Sequence, residues 1–195
     1  MTVAVGVICL GLLSAGSLVF QYRIREGFWL RKLEKGDEPE KLKAIERLGL
    51  MGSERAAPVL IEHFSSYGEE VAQAAIQGVV RIGPPAVPSL VKAIKSDCFY
   101  VRRAALDALG TLGPGAASAI PILIEFFKDP VFRLQTLSWS EHNGYTPERD
   151  EKTRIARTLL RIGPRTREVL EVLEEAGKGD DSNLRYAAGV VLKGK

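Results

Sequence analysis

Four glycines punctuate this chain: Gly52, Gly83, Gly113 and Gly163, with proline next in the last three copies, Pro84, Pro114 and Pro164. The intervals between them are 31, 30 and 50 residues. Each glycine separates two apolar stretches. The plainest case is residues 101–129, VRRAALDALGTLGPGAASAIPILIEFFKD, which read as two short helices turned at Gly113-Pro114. A hairpin recurring every roughly 20–50 residues cannot bury its oily face alone, so its copies must stack. The chain is thereby confined to an all-α solenoid of antiparallel helix pairs.

The register extends beyond the turn. Eight residues before each glycine stands Ala44, Ala75, Ala105 or Ile155, followed by Ile45, Ile76, Leu106 or Ala156. Small residues there let neighbouring helices approach closely. After the turn, proline opens the second apolar run in three copies, at Pro58, Pro88 and Pro121, where its missing donor leaves no helical bond unmade. Asp37, Asp97, Asp129 and Asp180 stand where a side chain can cap the next helix. By the same spacing, residues 182–192 form the first helix of a fifth unit, and residues 28–35 the second helix of an incomplete one.

These residues resemble the HEAT repeats, specifically the HEAT-like repeats first described in phycobilisome lyases. The resemblance is carried by residues 101–110, by the Leu112-Gly113-Pro114 turn, by residues 117–127 and by Asp129, and the start recurs at residues 184–188. It covers residues 38–192 and departs in the first unit, where Lys41-Leu42-Lys43 replaces the Val-Arg start and Ser53 replaces proline. It implies second helices lining a concave surface for partners. Arg102 and Arg185, with Lys41 and Lys152 at matching positions, read as inter-repeat salt bridges to the capping aspartates.

Residues 3–20, VAVGVICLGLLSAGSLVF, carry no charge. Eighteen helical residues span about 27 Å, close to the roughly 30 Å of a hydrocarbon core. The run is therefore expected to be an N-terminal transmembrane helix, with residues 1–22 as anchor and 23–37 as a juxtamembrane basic segment and half-repeat. Arg23, Arg25, Arg31, Lys32 and Lys35 all follow it, which predicts a single-pass protein of the cell membrane with its C-terminal domain in the cytoplasm. Tyr22, Arg23, Arg25 and Trp29 are placed to sit at the membrane interface. Export after signal cleavage is the alternative, although the stretch before the apolar run lacks the basic residues of a signal peptide.

The 50-residue interval marks an insertion at residues 130–146 inside the repeat domain, which runs from 38 to 192 and leaves 193–195 as a tail. Connections of this length in compact domains are functional or disordered. Phe132, Trp139, His142 and Tyr145 make it the candidate protein-binding element, the other reading being that Trp139 packs back on the stack. In the fourth unit Arg154, Arg157 and Arg161 stand at helical spacing on one helix, and Glu168, Glu171 and Glu175, joined by Glu174, on the next. Intramolecular pairing on a solvated surface is the plain explanation.

Chemistry-bearing motifs are sparse. His63 and His142 are the two histidines and lie far from any Cys or carboxylate set at ligand spacing, so neither a metal nor a cofactor is expected. His63 reads as a surface residue and Cys98, at a helix start, as a structural thiol. No nucleophile elbow, phosphate loop or CxxC is present. A net charge of +3 and second helices that alternate Glu62, Lys92, Glu125 and Glu171 argue against a nucleic-acid partner. The expected function is a membrane-anchored scaffold that binds a protein or peptide partner on the cytoplasmic side, with no catalysis of its own. The alternative, implied by the resemblance, is a lyase or lyase-accessory protein of the chromophore-attachment type, against which an anchor would weigh.

Overall fold

The computed structural model describes residues 2–65, 68–128, 147–163, 166–178, 185–186 and 188–189, with backbone alone for 2–17 and 147–150. A long helix, α1 (Thr2–Lys35), leads into α2 (Glu38–Leu50) and α3 (Ala56–Glu62), then α4 (Glu69–Ile82) and α5 (Val87–Ala93). The third pair is α6 (Phe99–Leu112) with α7 (Ile120–Lys128), and the fourth is α8 (Pro147–Ile162) with α9 (Arg167–Gly177). Among the described residues there is no strand. First helices stack in chain order, α2 on α4, α4 on α6 and α6 on α8, while α1 packs on α2. Second helices follow, with α3 on α5 and α7 on α9. This is the HEAT-like solenoid that the glycine spacing predicts.

The core runs along the stack as one cluster. Ala44, Ala75 and Ala105 are fully buried, as the close approach of first helices requires. Glycine takes the same role further along: a Cβ on Gly78 of α4 would lie 2.8 Å from Ile45 Cγ2 of α2. That contact brings α2 and α4 nearer than two alanine-faced helices could come.

The turn glycines have positive φ, but two of them are not simple left-handed caps. Gly83 has φ 82°, ψ −150° and Gly113 has φ 55°, ψ −132°, close to the mirror image of polyproline geometry. Proline at the next position disfavours helical backbone in the residue before it. The chain must nevertheless reverse, and only glycine reaches this region cheaply.

The expected aspartate caps divide. Asp37 caps α2, its Oδ1 accepting from Glu40 N at 3.0 Å. Asp97 does not cap α6, whose N-cap is Cys98 without a side-chain bond; Asp129 and Asp180 lie outside the described residues. The expected salt bridge from Arg102 to a capping aspartate is likewise replaced by something stronger. Arg102 Nε donates to Glu151 Oε1 of the next first helix at 2.7 Å, and its Nη1 donates to the carbonyls of Ser96 and Asp97, each at 2.9 Å. Both side chains are buried, so the third and fourth units are latched across the insertion. Thr158 Oγ1 donating to Leu106 O adds a second tie between the same helices.

Ser53, where the other units have proline, is explained by α1. Its hydroxyl donates to the buried carboxylate of Glu26 at 2.6 Å and accepts from Ala56 N at 3.2 Å, while Arg55 Nη1 reaches Glu26 Oε2 at 3.1 Å. Proline has no hydroxyl to offer there. Residues from Glu26 onward, with Leu33 fully buried and Trp29 and Leu30 packed on the core, make the end of α1 the first layer of the stack.

The expected N-terminal transmembrane helix is not supported. Among the described residues, the stretch long and apolar enough to cross a bilayer is Phe99–Lys128. That stretch is α6, α7 and the 3₁₀ turn between them, with non-helical backbone at Ala116 (φ −98°, ψ 15°) and with Leu106, Leu109, Leu123 and Phe127 in the core. The side chains of 1–17 lie outside the described residues.

Candidate functional site

In a solenoid the second helices form the surface that partners and ligands meet. Here α3 and α5 leave a groove of about 530 Å³ between them, closed at one end by the start of α6. Ile61, from α3, and Val101, from α6, are mostly buried and give it an apolar floor; Pro58 forms part of its wall. Its polar lining is Glu62 from α3, Lys92 from α5, the half-buried Cys98 and the hydroxyls of Ser65, Ser89 and Ser96. The volume falls within the about 300–1,000 Å³ common for small-molecule sites.

The α6 end of the groove is held by bonds the sequence does not advertise. Cys98 N donates to Ser96 Oγ at 3.2 Å, and Arg102 gathers the two preceding carbonyls from below. This fixes the first turn of α6, which contains no acidic residue. The open amides and dipole of that turn favour an anion.

A smaller pocket of about 270 Å³ lies at the α1–α2 junction, lined by Asp37, Glu38, Lys41 and His63. His63 is not the surface residue its neighbours in sequence suggest. It is half-buried, and burial, followed by the charge of Lys41, lowers its pKa below the ordinary 6.5, with Glu62 opposing. Among the described residues no group of three or more His, Cys, Asp or Glu is placed to hold a metal.

The charge division in the fourth unit is largely spent on pairing. Arg154 Nη1 reaches both carboxylate oxygens of Asp107, at 3.2 and 3.3 Å. Lys152 bonds Glu175 at 3.2 Å and sits 4.7 Å from the centre of the Phe127 ring. Arg167 pairs with Glu171 at 3.1 Å on the exposed face of α9.

Phe132, Trp139, His142 and Tyr145 lie outside the described residues. Of the interface residues, Tyr22 donates its hydroxyl to Met51 O at 3.2 Å, Trp29 packs on the core beside Phe28, and Arg23 and Arg25 are exposed. Sequence reasoning missed the groove because its lining comes from three helices. Its only linear signal is the pair Glu62 and Lys92, at equivalent places in successive second helices.

Comparison with known proteins agrees with this architecture. The HEAT-repeat family profile matches residues 64–138. Phycocyanobilin lyase subunit beta of Thermosynechococcus vestitus is 28% identical over 174 residues, covering 85% of this chain and 75% of that protein. The solved complex of CpcE and CpcF of phycocyanin lyase from Nostoc sp. PCC7120 matches with a TM-score of 0.54 at 19% identity, over 86% of this chain. This chain spans 63% of the length of that matched chain, and at such identity the likeness speaks for the fold alone. The chain carries HEAT-like repeats, similar to those of phycobilisome lyases. The expectation of no catalysis of its own is overturned by the sequence match, since the protein matched is a lyase subunit and points to lyase activity; the repeat scaffold itself stands.

Proposed function

We propose that this chain is a subunit of a bilin lyase, a HEAT-like stack that holds an open-chain tetrapyrrole for transfer to an acceptor protein and works with a second protein subunit. The observation that carries this reading is the similarity to phycocyanobilin lyase subunit beta along 85% of the chain. A groove of small-molecule size on the second-helix face supports it. A partner subunit is suggested by the matched solved structure, which is a complex of two proteins. The aromatic residues of the insertion, Phe132, Trp139 and Tyr145 with His142, are the part of the chain we assign to that partner.

For such a lyase the protein's main contribution is positioning. A flexible chromophore held in one conformation beside the acceptor converts a two-body encounter into an oriented one. The test titrates the full chain with phycocyanobilin and reads bilin absorbance, attachment to an apo-phycobiliprotein being followed on denaturing gels only once the second subunit is present. A shifted absorbance is expected from this chain alone. No spectral change at any chain concentration would end the proposal.

Attachment to the cytoplasmic face of the cell membrane is a separate part of the proposal. Its support is the uncharged run at 3–20 and the exposed apolar side chains that continue it, Leu18, Val19, Phe20 and Ile24. Recovery of the full chain in an alkali-washed membrane pellet is expected, and recovery in the supernatant would remove it.

A further inference from the structure

We infer that the groove between α3 and α5 seats the open-chain tetrapyrrole itself, Lys92 taking a propionate carboxylate and Glu62 facing the pyrrole N–H groups. This rests on the bilin-lyase reading and gives it a place on the chain.

The lining selects among ligand classes. Glu62 and Lys92, from adjacent second helices, both line the groove above its apolar floor. A fatty acid would satisfy Lys92 and the floor but would bring its hydrocarbon against Glu62. A nucleic acid would set phosphates against the same carboxylate. A linear tetrapyrrole is flat and apolar through its rings, carries N–H donors along one edge and ends its propionate arms in carboxylates. It alone of these offers a counterpart to the floor, the acid and the base together. An ionised partner makes such hydrogen bonds about twice as strong as neutral ones.

The closed end adds a second anion contact. The first turn of α6, a 14-residue helix without acidic residues there, opens on the groove at Cys98 and Val101. Its amides and dipole reinforce Lys92 for a second carboxylate. The seat as drawn involves no bond to the Cys98 sulfur, so the binding is reversible and the bilin leaves intact.

Because Lys92 is exposed, replacing it leaves the fold alone. The experiment titrates phycocyanobilin and its dimethyl ester, in which both propionates are masked, into the full chain and into Lys92→Met, reading absorbance. Arg81→Met, an exposed charge on α4, is the control. Lys92→Met should bind the free acid about tenfold more weakly, as loss of a charge-assisted contact implies. The ester, which gives up the α6 contact as well, should bind the parent chain with at least that loss, and Lys92→Met should then cost little more, since a contact can be lost only once. Glu62→Gln should weaken acid and ester alike. Arg81→Met should match the parent. Equal binding by the parent and Lys92→Met, or losses from substitution and esterification that simply add, would overturn the seat while leaving the lyase reading intact. A parent chain that binds no bilin would remove both.

Discussion

Arg102 and Glu151 illustrate how much a single buried pair can decide. Their side chains are 8% and 4% exposed, and the guanidinium also holds two carbonyls of the preceding loop. Removing one partner strands a buried charge, a loss of about 3–5 kcal/mol, whereas replacing both with apolar groups is often close to neutral. Arg102→Met should therefore lower chemical-denaturation stability by about that amount, and Arg102→Met with Glu151→Met should recover more than half of it. Arg102→Lys should not rescue, because an ammonium cannot serve one carboxylate and two carbonyls in a fork. By contrast Arg55 is 60% exposed, so its bond to Glu26 contributes little beside the buried Ser53–Glu26 contact. His63 supplies a pH dependence. Its folded pKa lies below the ordinary 6.5, so the unfolded chain binds more protons between the two values, and the contribution of His63 is fully present above 6.5 and lost as pH falls through that window. Melting temperature followed from pH 7.5 downward should fall more steeply through this window in the parent than in His63→Gln.

At the scale of the helix and its turn, most of the architecture could be read from the chain because it is dictated by short-range rules. The Gly-Pro turns at 83 and 113 and the small residues Ala44, Ala75 and Ala105 repeat in register, and each has a local physical reason. What escaped reading depends on residues far apart in sequence. Glu26 and Ser53 are 27 residues apart and Arg102 and Glu151 are 49 apart, so no periodicity connects them. Asp97 misled for a related reason: its position fits a cap, yet Arg102 takes its carbonyl and Ser96 takes the amide of Cys98. The groove was invisible because an acid and a base at matching places in successive repeats look like ordinary surface alternation until the helices are set side by side. Gly78 offers a test of the packing. Alanine there gains about 1 kcal/mol of helix propensity but forces a Cβ against the β-branched Ile45, 2.8 Å away, at an overpacking cost of about 1–3 kcal/mol. Gly78→Ala should be net destabilising, and Gly78→Ala with Ile45→Ala should lose less than the two single losses combined.

For the molecule as a whole, a stack of repeats is stabilised by contacts between neighbours, and each end needs a layer to cover it. At the N-terminal end that layer is the last third of α1. Glu26 is bonded to Ser53 and Arg55, Leu33 is fully buried, and Trp29 and Leu30 pack on the core, whereas Leu18, Val19, Phe20 and Ile24 are exposed. The same helix thus serves two ends that need not depend on each other. A chain beginning at residue 22 keeps every one of these contacts with α2 and should melt within about 2 °C of the full chain. A chain beginning at residue 37 bares the face of α2, losing one full and two partial large apolar side chains, about 4–6 kcal/mol by area. It also leaves Ser53 and Arg55 without their carboxylate. Circular dichroism should show it melting well below the longer truncation and over a broader range, as the first pair loosens before the rest. Equal melting of the two truncations would mean that α1 is an attachment to the stack and not its first layer.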